Sequence, residues 1–465
     1  MSSLDELRDF LLGLSDELVS IGAKFADFRL TCYLNTAFSV IDGAVRNVVH
    51  GYESGLAIRV LYKGFWGFSS TTELSREKIK EASLKAFNAA KALASKGEGR
   101  SDVYILEAIR DDIKAKLSVD PRNVDFSTKV KDALKLHELL SQYEFVKSVT
   151  VRYMDTIGYT LYVSSEGRDI KQELSYTWLY VWITGREAGV TASAREELGS
   201  IDGYTIWSRK SQEDISDTLI KRLKSQLKAK TPRGGNFPAV LAPEVVGVLV
   251  HEAFGHLSEA DLTMSGSAVM GRLGSKIASD LVTIVDDPTL PNGFGSFMYD
   301  DEGVEARPTY LIRKGVIEEL MVNREYAKIL NVKPSGNARA ESYKVPPLIR
   351  MRNTVLLPGD YSKEELFEDI KFGYYLVSFR GGQANLDGTF QVGVQEAYEI
   401  VKGEVGDPVR NMSISGNTLE TLALIDAVAK DFELSYGICG KGQAVFVSDG
   451  GPHIRVKKIT IGGPE

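Results

Sequence analysis

An apolar stretch at residues 243–256, which ends in three ionisable side chains, constrains this chain more than any other feature. Its valines and leucines leave almost no polar face, which predicts a helix buried on nearly all sides. His251, Glu252 and His256 stand at the end of that helix, where an ionised side chain needs a partner. A metal ion with its water is such a partner. The stretch therefore predicts a buried helix with metal chemistry at its end.

The spacing of the two histidines is unusual for a helical metal site. Metallopeptidase helices carry His-Glu-x-x-His, in which the glutamate is the general base, but here the second histidine comes one residue later. At about 100° per residue, side chains four apart differ by about 40° around the helix, and side chains five apart by about 140°. We therefore predict that the helix ends or bulges between Glu252 and His256. Gly255 could end it by adopting a left-handed conformation.

A third ligand is needed, because a catalytic zinc usually has three protein ligands and one open position. Cys439 lies in the run GICGKGQ, where glycines allow close approach of the backbone and Lys441 would favour the thiolate. Carboxylates nearer in sequence are equally suitable by residue type. The chemistry of the residues leaves the choice open between Cys439 and one carboxylate among Glu259, Asp261, Asp280, Asp286 and Asp287.

The pattern of apolar residues predicts an α+β chain in three units. Residues 1–100 predict an α-β-β-β-α unit, residues 101–230 a middle α+β unit, and residues 231–465 a glycine- and β-rich C-terminal domain with the buried helix. TPRGGNFP, at 231–238, is the clearest boundary. Helical spacing predicts helices at residues 4–20, 75–96, 124–145, 211–229 and 415–430.

Composition excludes several classes of function. The net charge is −7 and there is no long basic run, which argues against nucleic-acid binding that rests on charge. No apolar run approaches the roughly 18–20 residues that span a bilayer, so no membrane partner is expected. Two cysteines, Cys32 and Cys439, are too few for a disulfide framework. A cytoplasmic location is the expectation that follows.

Four further residues are weaker candidates. Asn337 and Arg339, in SGNARA, and Arg350 could line a substrate groove or anchor the scissile carbonyl. Equally, SGN could be a turn, and the arginines could be solvated or paired. His453 could approach the metal as a supporting residue, although a loop histidine with no such role is the commoner case.

Five motifs together resemble one known family. They are HEAFGH, the SEAD that follows it, PSGNARA, RMRNTVLLPGD and GICGKGQ, and their order resembles that of the TldD/PmbA metallopeptidases over essentially the whole chain. The resemblance is to the TldD-type catalytic subunit. It implies zinc held by His251, His256 and Cys439, with Glu252 as the general base. It also implies cleavage of unstructured peptides, by a homodimer or by a heterodimer with a paralogue that lacks the motif. The glycine- and β-rich C-terminal unit separately suggests that an extended peptide adds a strand to an exposed edge, a mode that predicts weak sequence preference.

Two rival functions stay open from the sequence. The chain could be a peptide-binding or regulatory subunit in which the zinc is structural, although such a site would not require Glu252. It could also be another hydrolase, such as an amidase or an esterase, with the same metal chemistry. The substrate, rather than the site residues, would distinguish this last possibility.

Overall fold

The computed structural model describes residues 4–462 of the chain. None of the helices in this range combines the length and the apolar character that a membrane crossing requires. The N-terminal half contains α1 (Leu4–Ser20), β1 (Phe25–Ile41), β2 (Ala44–Tyr62), β3 (Phe65–Thr71), α2 (Arg76–Ala94), β4 (Ile109–Ile113), α3 (Phe126–Ser141), β5 (Val146–Ser164), β6 (Arg168–Glu187), β7 (Val190–Ser200), α4 (Ile206–Arg209) and α5 (Gln212–Lys228).

One continuous sheet joins the first and the middle predicted units. Its strands run in the order β3-β2-β1-β5-β6-β4, and β7 pairs with β6. Helices α1 and α2 cover the part built from β1–β3, and α3 and α5 cover the part built from β5–β7. Each helix packs through a stripe of residues three or four apart, such as Leu7, Leu11, Leu14 and Leu18 of α1. The C-terminal domain packs on the opposite face of β5–β7.

The C-terminal domain is built from two further main sheets. They have the orders β11-β10-β9-β14-β21-β20 and β15-β8-β22-β18-β16-β17, and β19 pairs with β22. Its elements are β8 (Gly235–Leu241), α6 (Pro243–Val248), α7 (Ala260–Met264), β9 (Ile284–Asp286), β10 (Thr309–Arg313), β11 (Val316–Ile317), α8 (Arg324–Leu330), β12 (Ala338–Arg339), β13 (Leu348–Ile349), β14 (Asn353–Leu356), β15 (Phe372–Ala384), β16 (Thr389–Val401), β17 (Glu404–Val409), β18 (Met412–Asn417), α9 (Thr418–Ala423), β19 (Ile425–Val428), β20 (Glu433–Gly440), β21 (Ala444–Gly451) and β22 (Ile454–Gly462).

Helix α6 is buried between these sheets, as its sequence predicts. It begins at Pro243, directly after β8, where the missing N–H of proline costs nothing. It packs against β15, β20 and β21. At Gly247 a Cβ would lie only 2.3 Å from Oδ1 of Asp449 on β21. The helix therefore lies close enough to β21 to place its C-terminal end beside the hairpin formed by β20 and β21.

The α+β fold class is confirmed, and so are the first four predicted helices. The predicted helix at 415–430 is wrong, because only Thr418–Ala423 is helical. Strand β18 precedes this turn and β19 follows it, and Ile425 and Val428 of β19 pair with β22. Sheet pairing of these β-branched residues outweighs the helical spacing in the sequence.

Aromatic and charged contacts join the first sheet to the C-terminal domain. Tyr176 of β6 stacks on Phe446 of β21, with ring centroids 4.7 Å apart. Arg59 of β2 donates to Glu302 at 2.7 Å, and Arg324 donates to Glu166 at 2.6 Å. These contacts hold the first sheet against the C-terminal domain.

Candidate metal centre

The segment that carries the two histidines is a π turn. At Leu249 the α-helix widens into a π-helical segment, Leu249–Gly255. The N–H of His256 donates to the carbonyl of His251, an i→i+5 bond. In such a turn, residues five apart occupy the relation that residues four apart have in an α-helix. The predicted bulge between Glu252 and His256 is therefore confirmed, and both imidazoles can point to one side.

Gly255 contributes space to this turn rather than a left-handed conformation. Its φ is −56°, which is helical, so the alternative in which it ends the helix is wrong. A Cβ at this position would lie 2.1 Å from the sulfur of Met351. The glycine therefore allows the π turn to pack directly on the segment before β14.

The structure brings His251, His256 and Cys439 together. Their ligand atoms all lie within 4.8 Å of one another, and Cys439 Sγ is 3.5 Å from His256 Nε2. The His251 and Cys439 side chains are buried, and His251 Nδ1 has no hydrogen-bond partner in the described chain. Two imidazoles and a thiol are donors that suit zinc. The residues present therefore fit a metal ion.

The electrostatics of the group favour the charged form of the thiol. Burial raises the pKa of Cys439, but attraction and hydrogen bonding to His251 and His256 outweigh it and lower that pKa to about 4. Burial lowers the pKa of His251, but Cys439 raises it to about 9. A metal ligand must be the thiolate rather than the thiol, so the group is prepared for a cation.

The Glu259 carboxylate contacts the Nδ1 side of the His256 ring. It is fully buried, and its Oε2 lies 2.9 Å from His256 Nδ1 and 3.2 Å from Lys441 Nζ. The contact fixes the tautomer in which Nδ1 carries the hydrogen and Nε2 faces Cys439. Lys441 also contacts Asp261 at 2.7 Å. Glu259 and Lys441 thus join the histidine segment to the loop that follows the cysteine.

Arg350 holds the segment that contains the cysteine. Its side chain is completely buried and donates to Cys439 O at 2.7 Å and to Gln443 O at 2.6 Å. Asn337 is also completely buried and donates to the carbonyl of Arg350 at 2.9 Å. Both side chains bond to other parts of the protein, and their contact with a substrate stays a prediction.

The carboxylates that competed with Cys439 as third ligand are engaged elsewhere. Asp280 and Asp287 pair with residues of their own loops. Asp286 is buried against Arg352, at 2.7 Å. Among the described residues, Cys439 is the one that joins both histidines in a group of potential ligands.

Two other predicted residues lie apart from the group. His453 Nε2 is 2.9 Å from the Tyr375 hydroxyl, and its Nδ1 bonds to Asp431. Arg339 lines a second cavity, which shares no lining residue with the cavity beside the ligand group. The structure therefore collects three of the predicted ligands and the glutamate, and leaves His453 and Arg339 at other places.

A cavity of about 580 Å³ opens beside the ligand group. His251, Glu252 and Cys439 line it, and the Glu252 side chain is 30% exposed. Glu252 Oε2 lies 3.9 Å from His256 Nε2. The opposite wall comes from the first sheet, with Arg152, Trp178, Tyr180, Arg195 and Glu197.

The sequence did not single out this opposite wall. The run SYTWLYVWITG in β6 predicts only the interior of a sheet, yet Trp178 and Tyr180 face the cavity. Residues two apart lie on the same face of a strand, so the large side chains at positions 178 and 180 could have indicated that both faces of β6 are covered by other parts of the protein. Which partner that face meets depends on long-range packing.

Comparison with known proteins places the chain in a family. Family models described as PmbA/TldA metallopeptidase domain 1, central domain and C-terminal domain match residues 26–94, 119–230 and 234–463. The chain belongs to this family. The resemblance drawn from the sequence motifs is thereby confirmed.

Family members of similar length match almost the whole chain. A zinc metalloprotease TldD homolog of Saccharolobus solfataricus is 40% identical over 95% of this chain and 97% of its own length. A metalloprotease of Methanothermobacter thermautotrophicus is 38% identical over 99% of both chains. The solved structure of TldE from Thermococcus kodakarensis has a TM-score of 0.81 at 20% identity, covering 98% of this chain and all of its own. At that identity it shows the shared fold.

Replacing Glu259 with glutamine should weaken metal binding. The substitution keeps the shape but removes the charge that orients His256 and Lys441, so Zn²⁺ affinity should fall about 10–100-fold. Competition with a chromophoric chelator measures this affinity. Glu318→Gln, at an exposed pair with Arg313, is the matched control and should bind Zn²⁺ as the wild type does. Equal affinities for both variants would contradict the role given to Glu259.

Glu197 should make stability depend on pH. Burial raises its pKa to about 7, although the Trp178 N–H donates to it at 2.7 Å. An unfolded glutamate releases its proton near pH 4.3, so the folded state loses stability as the pH rises from about 4.3 to about 7. Glu197→Gln should therefore be more stable than the wild type at pH 8 and similar to it near pH 4.5.

Urea denaturation at several pH values measures this difference. Glu196→Gln is the control. Glu196 forms ion pairs with Lys210 at 2.6 Å and with Arg222 at 3.0 Å, so removing its charge should destabilise the fold. A difference between Glu197→Gln and the wild type that stays constant with pH would contradict the assignment.

Proposed function

We propose that the chain is a zinc-dependent peptidase in which His251, His256 and Cys439 hold the ion and Glu252 is the general base. The observation that carries this assignment is the convergence of the three ligand atoms beside a partly exposed glutamate at a large cavity. The names of the relatives, a zinc metalloprotease and a metalloprotease, support the same chemistry.

The ligand set supports a catalytic rather than a structural zinc. Structural sites are normally closed by four protein ligands, whereas catalytic sites keep one position open. In residues 4–462 the group of potential ligands has three members. The nearest buried carboxylate, Glu259, contacts His256 Nδ1 and Lys441 instead. The open position is left for water and substrate.

The mechanism divides the work among the residues of this chain. A zinc ion, when bound, supplies Lewis acidity that acidifies water and polarises a peptide carbonyl. Glu252 accepts the proton of the attacking water and passes it to the leaving amine nitrogen. Because the Cys439 thiolate donates more charge than a third imidazole would, substrate positioning has to supply more of the rate.

Strand β20 offers a binding edge for an extended peptide. It is the terminal strand of its sheet in the described chain, and its residues 433–439 all line the cavity. Its free edge presents backbone N–H and C=O groups, which can pair with a peptide as an added strand. Such pairing recognises the backbone, so it favours unstructured peptides and gives weak sequence preference.

We also propose that the working protein is a homodimer or a heterodimer with a paralogue that lacks the motif. The shared fold of TldE from Thermococcus kodakarensis supports a paralogue of the same size and architecture. A partner of this shape could enclose the cavity. Mass measurement of the protein isolated from its native cell distinguishes the two assemblies.

Glu252→Gln should retain zinc and lose peptide cleavage. Loss of the general base should lower kcat about 10²–10⁴-fold for a disordered peptide, while the three ligands remain. Zinc content and cleavage are measured on the same purified protein. Cys439→Ser is the complementary variant and should lower the zinc content. Full cleavage by Glu252→Gln would contradict the general-base role.

Metal removal from the wild-type protein distinguishes a peptidase from a regulatory subunit. A chelator should abolish cleavage without unfolding the protein, and zinc should restore it. A zinc-loaded wild type that binds disordered peptides without cleaving them would instead indicate a peptide-binding subunit with a structural ion.

A further inference from the structure

A second cavity lies between the first sheet and the C-terminal domain. Its volume is about 240 Å³, and it shares no lining residue with the cavity beside the metal ligands. Aromatic side chains form much of its wall, among them Tyr33, Tyr176, Phe297 and Phe446. A volume below the roughly 300–1,000 Å³ of sites for drug-sized molecules suits a ligand no larger than one or two amino acids.

Arg339 presents a charge in this cavity. The residue is 7% exposed, and its guanidinium lies 5.5 Å from the ring centre of Phe297. Its Nη1 donates to Met351 O at 2.9 Å, and the Tyr176 hydroxyl is a second polar neighbour of the guanidinium. Both neighbours are neutral. Burial lowers the pKa of Arg339, as expected for a cation whose charge is poorly compensated.

Most other buried arginines of this protein contact a carboxylate, but two of those in residues 4–462 do not. Arg168 and Arg350 each donate to two backbone carbonyls, and the Nε of Arg350 has no hydrogen-bond partner in this range, but neither residue lines the cavity. Five more contact a buried or half-buried carboxylate, in the pairs Arg8–Asp169, Arg59–Asp27, Arg222–Glu396, Arg324–Glu166 and Arg352–Asp286. In residues 4–462, Arg339 forms no such ion pair. An unpaired buried charge is costly, and a ligand can supply the missing anion.

The acidic residues of the cavity have partners other than Arg339. Asp301 lies 3.5 Å from Arg29 and accepts from the backbone of Ala340. Glu53 pairs with Lys344 at 3.1 Å. The other two carboxylates, Asp300 and Glu341, accept hydrogen bonds from backbone N–H groups. Asp301 attracts the Arg339 guanidinium electrostatically, but none of the four carboxylates forms an ion pair with it in residues 4–462.

We propose that this cavity binds a small organic carboxylate, with Arg339 pairing with the carboxylate and the aromatic wall contacting an apolar body. A guanidinium fits a carboxylate with two parallel hydrogen bonds. The α-carboxylate of an amino acid has this chemistry, whether the amino acid is free or is the last residue of a peptide. Binding here is independent of the proposed peptidase activity, because none of the metal-binding residues lines this cavity.

Calorimetric titration of the full chain tests the site. N-acetylphenylalanine should bind, and N-acetylphenylalaninamide, which lacks the carboxylate, should bind at least about tenfold more weakly. Arg339→Met should bind both compounds equally poorly, and Arg339→Lys should recover part of the difference. Absence of binding by the wild type at about 10 mM of each carboxylate, or unchanged binding by Arg339→Met, would overturn the proposal.

Free phenylalanine distinguishes the two sources of the carboxylate. Binding as tight as that of the acetylated compound identifies free amino acids as ligands and supports the site. Binding of the acetylated compound alone supports it as well and identifies a peptide terminus.

Thermal stability separates a binding role from a structural one. Arg339→Met removes a poorly compensated buried charge, so the melting temperature should stay the same or rise. Arg352→Met is the matched control and should lower the melting temperature, because it leaves Asp286 unpaired in the core. If Arg339→Met lowered the melting temperature as much as Arg352→Met does, Arg339 would be structural and the proposal would fail.

Discussion

The i→i+5 hydrogen bond between His256 N–H and His251 O is the interaction on which the rest of the site depends. It widens the helix by one residue and turns two imidazoles, which an α-helix would separate, toward one point. A π turn is uncommon and needs support from its surroundings. Burial of α6 on nearly all sides and the packing of Gly255 against Met351 give that support.

A second constraint is that the thiol comes from a distant part of the chain. Cys439 lies on a hairpin whose backbone is held by Arg350, while Lys441 reaches the carboxylate behind His256. The two halves of the ligand group are thus joined by buried hydrogen bonds and ion pairs. Removing one partner of a buried pair leaves an uncompensated charge, so this network fixes the geometry more firmly than surface pairs would.

Local patterns in the sequence predicted the features that depend on local physics. The stripe of leucines in α1 and the apolar helix α6 were predicted correctly, because the burial of a helix face follows from its own residues. Physical reasoning also predicted an irregularity between Glu252 and His256. The choice between a bulge and a helix end depended on Met351, which lies far away in sequence and occupies the space beside Gly255.

Features that depend on long-range pairing could not be predicted in the same way. β1 pairs with β5, from Asp27 with Ser164 to Ile41 with Thr150, which joins two predicted units into one sheet. Lys441 was expected to favour the thiolate, but it pairs with Asp261 and Glu259. The chemistry of the residues left the third ligand open, and the fold of the β20–β21 hairpin brings Cys439 within 4.8 Å of the two histidines.

X-ray absorption at the zinc edge of the zinc-loaded protein tests the central claim most directly. A site made of His251, His256 and Cys439 predicts one sulfur at about 2.3 Å and two imidazole nitrogens at about 2.0–2.1 Å. Cys439→Ser should remove the sulfur signal from any zinc that remains. A wild-type spectrum with nitrogen and oxygen neighbours alone would contradict the claim.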